Sequence, residues 1–352
     1  MADVNLSATQ SAQEASIDAW LAEATPASAE RLDALARSTG SKEIRKAARR
    51  ALYSLSQRGI KPQAASSDHA PRSAAADRRE TMRAWASAFD GAGNRLILLL
   101  LAGADGGHPT VAQILANDEL GIRNLTIERK PAREITPLME KLEGRIDEGL
   151  VIAEIEPDYA RTVIEQFRSI NFRRSTTTPA GFVDLLPRIG TPGEVIESPP
   201  VYARFSAEDL EKSADFPRDP ADLFNLPWFE PWFFAVEDVV PWLQRWMDAD
   251  NSTVVTTEKA KQERKSNIAR EVASALISAN MRALYAARLE ESADVLRRRN
   301  RDREARMALF HATALKSDVP IGEVPFAVSV AARTLDAAAE MVAEAEAEKP
   351  GN

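Results

Sequence analysis

At 352 residues, 44% hydrophobic, 28% charged and with a net charge of −8, the chain reads as a soluble, folded protein of two or three domains. Cysteine is absent and only His69, His108 and His311 supply imidazole, which excludes disulfides, thiolate metal sites and cysteine nucleophiles and leaves little for a histidine metal centre or a Ser-His-Asp triad. No run approaches the roughly 20 apolar residues of a membrane span, and MADVNLSATQSAQEAS has neither the basic start nor the apolar stretch of a signal peptide; a cytoplasmic protein off the membrane, without cofactor or metal, is expected.

Residues 1–12 are polar. Short helices fit Ser16–Ala24 and Ser28–Ser38, and Ser41 is placed to cap the stretch KEIRKAARRALYSLSQR, Lys42–Arg58. On a helical wheel of about 100° per residue this stretch splits in two. Ile44, Ala47, Ala48, Ala51 and Leu55 share one side. Lys42, Arg45, Lys46, Arg49 and Arg50 occupy an arc of about 140° on the other, with Tyr53 at its middle. The charge is lopsided here: residues 1–41 hold six acids and two bases, whereas residues 42–61 hold seven bases and one acid. Gly59 is expected as the residue that ends the helix.

Residues 61–76, KPQAASSDHAPRSAAA, have the composition of a flexible linker. Extended character then takes over. Met82–Phe89 and Arg95–Leu101 flank the turn DGAGN and predict a hairpin. Thr110–Leu115, Ile122–Ile127 and Val151–Ile155 add extended pieces, Ile135–Leu142 a helix, and Pro157–Arg168 another with Tyr159, Val163, Ile164 and Phe167 on its apolar side. Strands in succession followed by helices predict an antiparallel sheet with helices on one face. A Thr/Pro/Gly-rich connection, 172–200, holds a short helix at Phe182–Leu186. Helix starts follow at Ser206–Asp209 and Asp219, then the aromatic block Phe224, Trp228, Phe229, Trp232, Phe233, Phe234, Trp242 and Trp246. A long helix is expected from Thr257 towards Arg288 with a break near Asn280, and further helices at Leu289–Arg299, Arg303–Lys316 and Phe326–Glu346.

The expected fold is therefore α+β, multidomain and mainly helical. It comprises an N-terminal helical hairpin (1–60), a linker (61–80), an antiparallel sheet with helices (81–200) and an all-α part (201–348). Residues 27–58, with Ile44, Ala47, Ala48, Ala51, Leu52 and Leu55 in the second helix, resemble a single HEAT-type helix pair. Residues 289–315, with Leu289, Ala293 and Leu296 facing Ala305, Ala308 and Ala312, resemble a TPR-type pair. Both resemblances imply helix packing and partner binding, and neither implies chemistry.

Competing chemical sites are weak. The turns at 90–94 and 103–107 lack the Gly-Lys-Ser/Thr ending of a phosphate loop. Asp105 with His108, and Glu154, Glu156 and Asp158, are too sparse for a metal or an acid–base pair, and the acids suit a helix start. A second basic run, Arg297 to Arg303, sits at a helix C-terminus, where cations complement the macrodipole. What remains is a binding or adaptor protein without catalytic residues, whose face of Lys42, Arg45, Lys46, Arg49, Arg50 and Tyr53 meets an acidic partner, protein or nucleic acid. The alternatives are an enzyme with an Asp/Glu/Arg pocket between the sheet and the aromatic block, or a structural subunit of a larger assembly.

Overall fold

The computed structural model describes residues 16–17, 19–38, 41–57, 60, 82–103, 107–191, 199–206, 210, 215–251 and 257–347. They fall in two compact units, 1–76 and 77–352. In the first, helical residues at 16–17 and 19–23 precede α1 (Pro26–Ser38) and α2 (Lys42–Gln57). Helix α1 starts two residues earlier than its apolar spacing predicts. Thr25 and Ser28 cap each other, the amide of each donating to the other's hydroxyl at 2.9 and 3.1 Å, and this reciprocal cap fixes the start. Ile17, Ala29, Leu32 and Ala36 bury against Ile44, Ala48, Ala51 and Leu55.

In the second unit the strands are β1 (Met82–Ser87), β2 (Asn94–Leu101), β3 (Thr110–Asn117), β4 (Gly121–Arg129) and β5 (Ile152–Ile155), all antiparallel in the order β4-β3-β2-β1-β5. The DGAGN turn closes the hairpin. The Asp90 carboxylate accepts from both the backbone and the side-chain amide of Asn94 at 2.8 and 2.9 Å, and Gly93 takes φ +80°, a region only glycine enters at little cost. Period-two alternation sends Ala84, Ala86, Ile97, Leu99, Ala112 and Ile114 to one face, where α4 (Pro157–Arg173) and α5 (Phe182–Ile189) cover them. The other face is covered too, contrary to the expectation of one covered face. Helix α3 (Ala132–Glu143) lays Ile135, Leu138, Met139 and Leu142 over Trp85, Leu98, Val111 and Ile152. The near-continuous apolar run of β2 is the physical reason, since a strand apolar on both faces must be buried on both.

The remaining helices are α6 (Pro220–Phe224), α7 (Val236–Asn251), α8 (Glu258–Leu276), α9 (Ala279–Arg298), α10 (Asp302–Lys316) and α11 (Pro325–Ala347). The break after α8 falls at Ile277–Ser278, where the Ser278 hydroxyl accepts from the Met281 amide at 3.2 Å. This is the break expected near Asn280, set by the capping serine; the helix after it runs unbroken from Ala279 to Arg298, past the boundary expected at Leu289. The expected helix start at 206–209 and Gly59 lie outside the described residues, apart from Ser206. The aromatic block is core. Trp228, Phe229, Trp232, Phe224 and Trp246 are buried with Phe326, Tyr285 and Leu289, in a cluster that also takes in Ala88, Val151 and Ala153 from the sheet. Of the block only Phe233 is exposed, at 37%.

Candidate partner-binding surface

Helix α2 forms because Ser41 caps it and because one stripe of it is apolar. The Ser41 hydroxyl accepts from the Ile44 amide at 3.4 Å and its carbonyl from the Arg45 amide at 3.1 Å. Ile44, Ala48 and Leu55 are then fully buried. With that stripe fixed inward, the 3.6-residue period leaves the charged stripe outward. Lys46, Arg49 and Arg50 are exposed and Arg45 is half-buried; Tyr53 is 68% exposed. Together these five side chains line one open depression along the helix. The Lys42 side chain lies outside the described part.

The charge on this face is little compensated. Among the described residues no ion pair holds Lys46, Arg49 or Arg50, while Arg45 takes part in an interaction of its own. Of the acids in the preceding segment, Glu23 pairs with Arg31 at 3.6 Å and Asp33 is likewise engaged.

The second basic run behaves differently. Arg298 forks onto Glu156 at 3.0 and 2.7 Å and reaches the buried Asp294 at 2.6 Å. Arg297 bonds Asp294 at 3.1 Å, Arg299 bonds Glu143 at 2.7 Å, and Arg301 lies 3.3 Å from Glu304. Its arginines join the end of α9 to β5, α3 and α10. Arg298 holds the Glu156 carboxyl below the usual carboxylate range by direct hydrogen bonding.

The other described carboxylates singled out in the sequence are also ion-paired. Glu154 forks with Arg83 at 2.8 Å on both oxygens, and Asp158 bonds Arg161 at 2.7 Å. His108 is exposed, and Asp105 lies outside the described residues. His311 is 1% exposed between Phe310 and Phe326, and burial pushes its pKa down to about 4. Among the described residues no group of three or more His, Asp or Glu could hold a metal ion, and no helix is long and apolar enough to cross a membrane.

Charged and polar side chains bridge the seam between the sheet and the aromatic block. The Arg95 guanidinium, 1% exposed, donates to the Ser87 carbonyl at 3.0 Å and to Glu291 at 2.6 Å, and lies 5.2 Å over the Phe89 ring. Glu291 also accepts from the Tyr159 hydroxyl at 2.5 Å, and burial first, then that carboxylate, holds the Tyr159 pKa above its ordinary value. Arg288 forks onto Asp118 at 2.6 and 2.9 Å and donates to the Gly91 carbonyl at 2.8 Å. The Ser292 hydroxyl accepts from the Phe89 amide at 3.1 Å. These residues fasten α9 across the turn end of the sheet. The single sequence signal for them is Arg95, a cation inside an otherwise apolar strand.

A hollow of about 490 Å³ lies among α7, α8 and α11. In it Lys265 sits 4.7 Å over the Trp246 ring and 3.5 Å from Asp336, which accepts from the Trp246 indole at 2.9 Å. Its charges face each other. No protein-family model, no curated protein and no solved structure matches this chain.

Proposed function

We propose that the helical pair α1–α2 is a docking module and that the protein is a non-enzymatic binding or adaptor protein, engaging an acidic partner through the outward face of α2. One observation carries this reading. Lys46, Arg49 and Arg50 stand exposed without counter-ions among the described residues, beside an exposed Tyr53, on a helix whose opposite stripe is committed to the core. In the second basic run, by contrast, Arg297, Arg298, Arg299 and Arg301 are paired within the fold and Arg303 alone is exposed without a counter-ion among the described residues. Residues 1–76 carry ten Lys/Arg and eight Asp/Glu, a net +2, against −10 for the rest, so attraction to an acidic partner concentrates on the first unit.

The burial of Ile44, Ala48, Leu55, Leu289, Ala293, Leu296, Ala305 and Ala308 supports reading α1–α2 as a HEAT-like pair and α9–α10 as a TPR-like pair. The cysteine-free sequence supports a cytoplasmic setting.

The test is retention of the full chain on immobilised poly-L-glutamate as salt rises. The native chain should bind at 50 mM and weaken steeply by about 200 mM, and the Lys46→Glu, Arg49→Glu, Arg50→Glu variant should not bind. Equal retention of the two proteins, or retention indifferent to salt, would remove α2 as the docking element.

A further inference from the structure

We infer that the acidic partner of α2 is a single-stranded nucleic acid, held through its phosphates and by one base stacked on Tyr53; this rests on reading α2 as a docking face. The composition of the face is the first argument. A stable protein interface is built on a desolvated centre of several apolar or aromatic anchors, with arginine at most accompanying them. Here Ile44, Ala48, Ala51 and Leu55 all turn inward, and what is left outside is cationic apart from one ring. With the apolar stripe buried, the helix has nothing to insert into a lipid surface.

Spacing is the second argument. Lys46 and Arg50 stand four residues apart and Arg49 adjoins Arg50, so the three cations spread over about 6 Å of the helix axis on one face. The guanidinium groups of Arg49 and Arg50 can each fork onto a phosphate. Tyr53 follows on the same face, four residues past Arg49 and three past Arg50. It is the most exposed large apolar side chain after Val183. An unpaired base offers its face to such a ring whatever its identity, whereas a duplex keeps its bases stacked inside. The stacking partner is what selects the single strand.

The test measures binding of the full chain to a short labelled single-stranded oligonucleotide, to its duplex and to poly-L-glutamate, by fluorescence anisotropy. If Lys46, Arg49 and Arg50 each release one counterion, affinity for the single strand falls about 20-fold between 50 and 200 mM salt. Tyr53→Ala should weaken the single strand about 10-fold and leave the duplex unchanged; the triple charge reversal should abolish both. Far-UV circular dichroism confirms that these exposed substitutions leave the helices intact. Binding to poly-L-glutamate but to neither oligonucleotide would overturn the nucleic-acid assignment and leave the docking face standing. Binding to none of the three would overturn both. A duplex bound as tightly as the single strand, with Tyr53→Ala without effect, would overturn the single-strand assignment alone.

Discussion

Glu291→Gln isolates the interaction that joins the sheet to the helices. Glu291 is the ion-pair partner of Arg95, whose guanidinium is buried and whose second terminal nitrogen has no acceptor. Burial alone would lower the Arg95 pKa; the facing carboxylate more than offsets this and keeps it above its ordinary value. Glutamine keeps the shape and an acceptor for the Tyr159 hydroxyl but removes the charge, leaving a buried cation without compensation. Breaking a buried pair in this way costs about 3–5 kcal/mol, which in a unit of this size lowers Tm by about 10 °C. Trp85, Trp228, Trp232, Trp242 and Trp246 all lie in residues 77–352, so urea unfolding followed by tryptophan emission reads that unit. The double variant Glu291→Gln, Arg95→Met removes the stranded charge and should recover more than half of the loss, because an apolar replacement of both partners is close to neutral. A loss below about 1 kcal/mol for the single variant, or additivity in the double, would refute the account.

Two further outcomes follow from buried groups in the same unit. His311 has a folded-state pKa of about 4 against an ordinary 6.5, so its contribution is intact above pH 6.5 and is lost as pH falls towards 4, where the unfolded chain binds the proton and the folded chain does not. The full loss is about 3 kcal/mol; comparing urea midpoints of native and His311→Leu protein from pH 7 to 4.5 should show a shallower decline in the variant, and parallel curves would exclude the histidine. Gly93→Ala places a methyl group at φ +80° against the Asp118 carboxylate and the Arg288 guanidinium, and should cost more than about 2 kcal/mol through backbone strain and the displaced ion pair; a variant as stable as the native chain would show that the turn relaxes freely.

Much of the fold was legible because it is written in local periods. The hairpin announces itself in DGAGN between two apolar runs, and α2 in a stripe that the structure buries at Ile44, Ala48, Ala51 and Leu55 and half-buries at Ala47. The break expected near Asn280 falls at Ile277–Ser278, where the Ser278 cap sets it. The second covered face of the sheet depends on α3 returning across it, a tertiary event that the apolar run of β2 permits but does not locate. The links made by α9 to the sheet were illegible for a plainer reason: Arg288 meets Asp118 170 residues away and Glu291 meets Arg95 196 residues away, separations at which no local spacing carries information.

The two basic runs make the same point about function. Arg297 to Arg303 is more densely charged than α2, and by sequence alone it competes for the same role. In the fold Arg298 and Arg299 meet Glu156 and Glu143, acids from distant segments that no helical wheel would place beside them, while Asp294, one turn back on the same helix, takes Arg297 and Arg298. A cation already neutralised in a partly buried pair has little left for a partner, since taking it would leave the acid uncompensated. Lys46, Arg49 and Arg50 of α2 meet the opposite condition: among the described residues no acid pairs with them, Glu23 of the preceding segment pairs with Arg31, and their side chains are exposed. What separates a binding face from a structural rivet is thus whether the fold supplies the counter-charge, and density of charge along the chain does not decide it. By that criterion the candidate surface narrows to Lys46, Arg49, Arg50 and the adjoining Tyr53.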